Sequence, residues 1–271
     1  MDAADERRIP NIDSSPTTST TSSARQRIFQ MSSRRAAQGK NMGIPKIQSQ
    51  ERELTLSEAI VERRSTPSFD GSPVLDEVLK TILSSGIEAP SSFNLQPWRF
   101  IVVRDAQQKR RLREAAMGQS KVEEAGAIIV CCGDPEASRG TSLDDMLAEA
   151  ARQGFTQQQN QTARETIGRL FSAEPGETFG LTPSYAVWVN RHVMIAFTTM
   201  MWMAEVLGYD TAPMEGFFEG KVKSALNIPD HIRVVALLAI GRRKGPDKPY
   251  AGRHEMRNVC FSETWGKSIK L

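Results

Sequence analysis

The chain has 271 residues, enough for one sizeable core or two small ones, and its 39% hydrophobic and 25% charged side chains are those of an ordinary globular protein. The longest strongly apolar stretch, near Val234 to Ile240, is far shorter than the roughly 20 residues that a membrane-spanning helix needs, so no part of the chain is expected to cross a bilayer. The formal net charge of +3 is small, and the basic residues form no stripe interleaved with aromatics, so no nucleic-acid partner is implied.

Residues 1 to about 50 are rich in Ser, Thr, Arg and Gln and poor in large apolar groups. They cannot bury enough surface to offset the entropy of ordering, and a disordered basic tail is expected. Between Ser14 and Gln50 there are six Lys or Arg residues and no acid. The Arg/Ser/Ala-rich part, Ser22 to Gly43, has the composition of an organelle transit peptide. The acids Asp2, Asp5, Glu6 and Asp13 speak against one, and a plain extension, or a true start at Met42, accounts for the tail equally well. A cytoplasmic location is the expectation.

Order is expected from Leu54, where Thr55 and Glu58 have the spacing of a capping box ahead of a short helix, Leu56 to Arg63. Leu75, Val78, Leu79, Ile82 and Leu83 share one helical face, with Gly86 where a helix stop is expected. A Pro/Ser/Asn loop, Ala89 to Gln96, leads into a buried strand at Phe100 to Val103. Asp105 can cap a helix through Met117, and Ala127 to Cys132 reads as a second strand. The Gln-rich, polar segment from Ser142 to Tyr185 reads as a mobile helical insertion outside the core, a candidate lid. From His192 to Gly208 the chain is apolar almost all round. As a helix it must be buried on every side, and its Met residues and Trp202 also suit packing against a second subunit. Ile232 to Ile240 is the third strand. Three strands among at least five helices predict an α+β architecture around one central sheet, in a domain from residue 54 to residue 271.

Cys131, Cys132 and Cys260 have no metal-ligand spacing and read as reduced, packed thiols, the adjacent pair pointing to opposite faces of a strand. His192, His231 and His254 are the only histidines and form no zinc motif, so no metal site is expected.

Four segments carry residue types that suit an anionic, planar ligand. Arg63-Arg64-Ser65 could clamp a phosphate by charge-assisted hydrogen bonds, or its arginines could simply complement the dipole at a helix C-terminus. The loop from Pro90 through Ser91, Ser92 and Asn94 to Trp98 offers hydroxyls and amides at the mouth of a sheet, and is also ordinary turn chemistry. In Pro213-Met214-Glu215-Gly216, the glycine lets backbone approach a ligand, or merely makes a turn. Arg253 is either a fourth contributor or solvated surface.

Together and in this order, these segments resemble the nitroreductase family of FMN-binding flavoproteins, from about Leu54 to about Trp265. The most specific part is PSSFNLQPWRFIVV, Pro90 to Val103, followed by the Arg-Arg-Ser helix end and AEVLGYDTAPMEGF, Ala204 to Phe217. The resemblance implies a nitroreductase-like fold, a mixed and mostly antiparallel sheet flanked by helices in an intertwined homodimer with two shared active sites. Arg63, Ser65 and Arg253 would bind the FMN phosphate, with Arg64 against the same cofactor. Pro90, Ser91, Ser92 and Asn94 would contact the flavin from the other subunit, and Gln119 would pair with its pyrimidine edge. Pro213, Met214, Glu215 and Gly216 would also bind the cofactor, with the backbone N–H groups of the last two facing flavin N5. Trp188 and His192 would line the acceptor pocket, with core packing an equal alternative for Trp188. One departure is Pro67, which stands where the family often has a Lys near the flavin N1/O2 edge. Either Lys121 or Arg99 takes that part, or the reduced flavin is less stabilised.

The activity implied is hydride transfer from NAD(P)H to a small acceptor, such as a nitroaromatic or quinone, by a ping-pong cycle with no catalytic side chain. The rivals are another flavin reaction on the same scaffold (flavin reduction, dehalogenation, desaturation) and a flavin-binding redox module without turnover.

Overall fold

The computed structural model describes residues 54–172 and 185–269. The expected N-terminal tail and residues 173–184 of the expected insertion lie outside the described residues. Among those described, four strands, β1 (Trp98–Val103), β2 (Ala127–Gly133), β3 (Asp210–Met214) and β4 (Arg233–Gly241), form one sheet in the order β1-β2-β4-β3. All three pairings are antiparallel. Strand β3 is absent from the sequence expectation because Asp210 and Pro213 are poor strand formers. Both are tolerated because β3 is an edge strand, where a proline forfeits no ladder bond.

The central strand β2 is buried along its whole length. Ala127, Ile129 and Cys131 face one apolar cluster and Ile128, Val130 and Cys132 the other, so the two adjacent cysteines do point to opposite faces. Both thiols are buried, and loss of hydration raises their pKa, for Cys132 to about 11.

Helix α1 (Leu56–Glu62) begins at the expected capping box. Thr55 Oγ1 accepts from the Glu58 N–H at 3.3 Å, and Glu58 returns the bond to the Thr55 N–H at 2.8 Å. Helix α2 (Asp76–Ile87) buries Val78, Leu79 and Ile82, but Leu75 is its exposed N-cap. Gly86, expected as a helix stop, lies inside α2. A Cβ there would sit 2.6 Å from Met200 Cγ, so close packing and not termination explains the glycine. Helix α3 (Ala106–Ala115) is capped by Asp105, whose Oδ1 accepts from the Gln108 N–H at 2.9 Å. It ends two residues earlier than expected, because Met117 and Gly118 turn the chain at positive φ before the short α4 (Ser120–Glu124).

The 142–185 segment departs from expectation. It contributes most of α5 (Gly140–Arg152) and all of α6 (Gln157–Ser172), and Leu143, Leu147 and Ile167 are buried in the core. Its polar average conceals a narrow apolar stripe at helical spacing. Asn160 Nδ2 donates to the Leu147 carbonyl at 2.9 Å, and Arg164 pairs with Asp144 at 2.6 Å, tying the two helices together.

The long helix α7 (Tyr185–Val206) packs across one face of the sheet and against α2, and α8 (Glu219–Leu226) lies with α3 on the other face. Helix α7 is not covered all round by the described residues. Val187, Arg191 and Ile195 are exposed, with Trp202 half-buried on the same side, leaving one outward stripe at spacings of about four. A last turn, α9 (Met256–Val259), precedes an exposed C-terminal segment in which Trp265 is 90% exposed.

The Gly86 contact predicts that Gly86→Ala destabilises the fold by about 1–2 kcal/mol despite better helix propensity. Met200→Ala in the same chain should recover part of that loss. Urea denaturation of the two single variants and the double variant checks it, and strict additivity would contradict it.

Candidate functional site

Arg63 is the C-cap of α1, its N–H donating to the Ala59 carbonyl at 3.0 Å. The chain then runs extended along the outer edge of β3, where Ser65 bridges Thr211 and the Thr66 N–H donates to the Thr211 carbonyl at 2.9 Å. This path turns the Arg63 side chain inward. Its Nη1 is buried without a hydrogen-bond partner among the described residues, which for a guanidinium is a costly state unless an anion is to arrive.

Arg64 does what the dipole reading asked. Its Nη1 donates to the carbonyls of Val61, Glu62 and Arg63 at 2.7, 3.1 and 2.9 Å, closing the helix end. Its guanidinium also lies 4.5 Å from the ring centre of Tyr250, and Arg253 lies 5.4 Å from the same ring. The structure thus joins Arg64 and Arg253, 189 positions apart in sequence, through one aromatic residue. Tyr250 was not a sequence candidate, and its exposed loop carries no periodic signal.

Glu205 was missed too, although it is the only acid in the apolar run from His192 to Gly208. It is 9% exposed, at the end of α7, and accepts from Thr211 Oγ1 at 3.0 Å. Burial pushes its carboxyl up to about 7, with the Thr211 bond opposing, Asp210 reinforcing, and nearby Arg63 opposing. A cavity of about 250 Å³ opens beside it, rimmed by Arg64, Asp210, Arg243 and Asp247.

At the far end of β3, Gln119 and the 215–217 loop meet. Gln119 Nε2 donates to the Gly216 carbonyl at 2.9 Å and to the Ala116 carbonyl at 3.1 Å, and the Phe218 N–H donates to the Ala115 carbonyl at 2.9 Å. With both amide hydrogens committed, Gln119 presents Oε1 as an acceptor. Glu215 and Gly216 are exposed, and a Cβ on Gly216 would meet only Gln119 Nε2 at 3.7 Å and Met117 Sδ at 4.0 Å. The backbone there lies open to a ligand. Pro213 and Met214 lie in β3, opposite Leu238 and Leu237, and carry the chain to this loop.

The loop from Pro90 to Gln96 lies elsewhere. It feeds β1, the opposite edge of the sheet from β3, three inter-strand steps or roughly 14 Å across. Phe93, Asn94 and Gln96 all have positive φ, as has Met117 beside Gln119. Such conformations cost of order 1–3 kcal/mol each and gather at functional sites. Ser91 Oγ accepts from the Gln96 N–H at 3.0 Å, and Ser92 meets His192 Nε2. Trp188 and His192, expected beside an acceptor, are 4% and 8% exposed, and their rings lie 4.6 Å apart at a tilt of 42°, with Phe171 edge-on to Trp188. Both are packed beneath the loop within their own chain.

Of the two cations considered for the Pro67 position, Arg99 is committed to Asp134 at 2.9 Å and to the Gln96 and Trp98 carbonyls. Lys121 lies two residues beyond Gln119, and its pKa is lowered by burial and then by Lys248. Among the described residues no group of His, Cys, Asp and Glu could hold a metal ion, and no helix is long and apolar enough to cross a membrane.

A single antiparallel sheet covered by helices on both faces, with cationic and open-backbone segments at one edge and a strained polar loop at the other, is the nitroreductase-like class of α+β fold. The family model described as the nitroreductase family matches residues 60–242. The NADH dehydrogenase of Thermus thermophilus is 34% identical over 191 residues, spanning 69% of this chain and 86% of that protein. The Bacillus subtilis protein MhqN, provisionally named an NAD(P)H nitroreductase, is 32% identical over 186 residues, spanning 68% and 86%. A provisionally named nitroreductase of Exiguobacterium sibiricum, solved in complex with FMN, superposes with a TM-score of 0.69 at 24% identity, over 79% of this chain and 99% of that one. The chain belongs to the nitroreductase family, the FMN-dependent NAD(P)H oxidoreductases that its motifs resemble.

Glu205 yields a pH prediction. A carboxyl whose folded pKa is raised from 4.5 to about 7 favours folding in its neutral form. That contribution is complete below about 4.5 and is lost as pH rises through about 7. From pH 4.5 to about 8, the apoprotein should lose on the order of 3 kcal/mol relative to Glu205→Gln, at most. Urea denaturation across this range measures it, and a pH-independent difference would contradict it.

Proposed function

We propose that this chain is a homodimeric FMN oxidoreductase that takes hydride from NAD(P)H and passes it to a small acceptor, such as a nitroaromatic or quinone, in a ping-pong cycle. The observation that carries this reading is the Nη1 of Arg63, buried without a hydrogen-bond partner among the described residues and followed in the chain by Arg64, which shares the ring of Tyr250 with Arg253. It is a prepared anion site within a family of FMN enzymes. The residues present fit the cofactor. Arg63, Ser65 and Arg253 would hold its phosphate, Gln119 Oε1 would accept at its pyrimidine edge, and the exposed Glu215 and Gly216 amides would face its reactive nitrogen. When bound, FMN supplies the redox chemistry by taking hydride at N5 and giving it up again. The protein supplies binding, orientation and charge. The relatives' names, an NADH dehydrogenase and an NAD(P)H nitroreductase, support a nicotinamide donor.

Two observations favour a site built by two chains. The Pro90–Gln96 loop and the Arg63 cluster lie at opposite edges of the sheet, so one chain does not bring them to one small ligand. Large apolar surface also stands uncovered: the outward stripe of α7, and Tyr250, Met256, Val259 and Trp265 near the C-terminus. A second copy would cover such surface. In this reading Lys121 replaces the cation absent at Pro67, since Arg99 is already paired with Asp134.

The purified protein is expected to be yellow, and anaerobic NADPH or NADH should bleach it. A colourless protein that takes up no added FMN would defeat the proposal. Arg63→Ala should weaken FMN binding by about tenfold to a hundredfold, the range for losing a charge-assisted bond. Lys121→Gln should lower the flavin midpoint potential while leaving FMN affinity within a few-fold, as redox titration would reveal.

A further inference from the structure

His192 is 8% exposed, on α7. Its Nδ1 lies 2.8 Å from the Trp188 carbonyl oxygen one turn back along the helix, and its Nε2 lies 3.1 Å from the Ser92 backbone nitrogen and 3.0 Å from Ser92 Oγ. A carbonyl can only accept and an amide N–H can only donate. The ring is therefore neutral, with the proton on Nδ1 and the lone pair of Nε2 turned to Ser92. Ser92 opens the 3₁₀ turn Ser92–Asn94, and Phe93, Asn94 and Gln96 hold φ of 54°, 56° and 46°. Left-handed backbone is unfavourable for residues with side chains, for Phe93 and Gln96 more than for Asn94, and a turn so strained relaxes unless surrounding contacts hold it. The bonds from Ser91 are internal to the loop. The bond from His192 reaches it from the central helix, which is itself packed on the sheet.

We infer that His192 is a positioning residue, whose Nε2 lone pair pins the Ser92 N–H and so holds the strained turn in the shape that presents Ser91, Ser92 and Asn94 to the cofactor. The inference rests on the proposed reading of that loop as a flavin contact in the partner's site. It also accounts for a histidine buried on α7, and it assigns Trp188 a part: its carbonyl fixes the tautomer.

The test compares His192→Phe, which keeps ring volume without an acceptor, with His192→Gln, whose Oε1 can still accept from Ser92. FMN is titrated into full-length apoprotein. His192→Phe should bind about tenfold more weakly, as expected when a buried N–H loses its acceptor, and His192→Gln should stay within about threefold of the wild type. The two variants should lose similar melting temperature. Wild-type affinity in His192→Phe, or equal losses in both variants, would overturn the role, as would imidazole nitrogen shifts that put the proton on Nε2. Mixing His192→Phe chains with Arg63→Ala chains separates this from the shared-site reading. If the loop serves the partner's site, each mixed dimer regains one intact site and binding reappears. Weak binding by His192→Phe without such recovery would support the His192 role and sink the exchange of loops between subunits.

Discussion

The structure depends on the burial of the central β2–β4 pair. Every residue of β2, and most of β4, is out of contact with solvent, so both faces of the sheet must be covered and no ligand can lie on either face. What remains open is the rim. The groups suited to an anionic, planar cofactor accordingly lie in the segments that enter and leave the outer strands β1 and β3.

The same burial makes the site rigid where it must be. Ser65 and Thr66 are tied to Thr211 of β3, and Glu205 is tied to the same threonine from α7. Helix end, edge strand and central helix thus converge on Thr211. With its pKa pushed up to about 7, Glu205 is only partly ionised near neutrality and so compensates less of the nearby Arg63 charge than an ordinary carboxylate would. At the other edge the arrangement is reversed. The backbone is strained, polar and largely exposed, and its order comes from a histidine pinned on α7.

Much of this was legible in the chain itself. The capping box of α1, the stripe of α2, the Asp105 cap and the three apolar strands are local signals of spacing and composition, and they survive folding because local geometry alone produces them. The family motifs at Arg63–Ser65, Pro90–Val103 and Ala204–Phe217 likewise pointed to the segments that form the rim. Other features were not legible. Strand β3 is held by pairing with β4 and not by propensity. Gly86 marks contact with Met200, 114 positions later. The 142–185 segment buries Leu143, Leu147 and Ile167 in spite of its polar composition.

By itself, then, the amino-acid sequence determined the class of fold, the family and the segments proposed to carry its chemistry, because periodicity, caps and short motifs act over a few residues. Only the tertiary structure decided which arginine closes a helix and which is buried without a hydrogen-bond partner among the described residues. It also decided that Tyr250 joins Arg64 to Arg253, and that His192 faces Ser92 and not open solvent. These outcomes turn on desolvation and hydrogen-bond partners supplied by elements distant in the chain, and no local pattern of residues encodes who those partners will be.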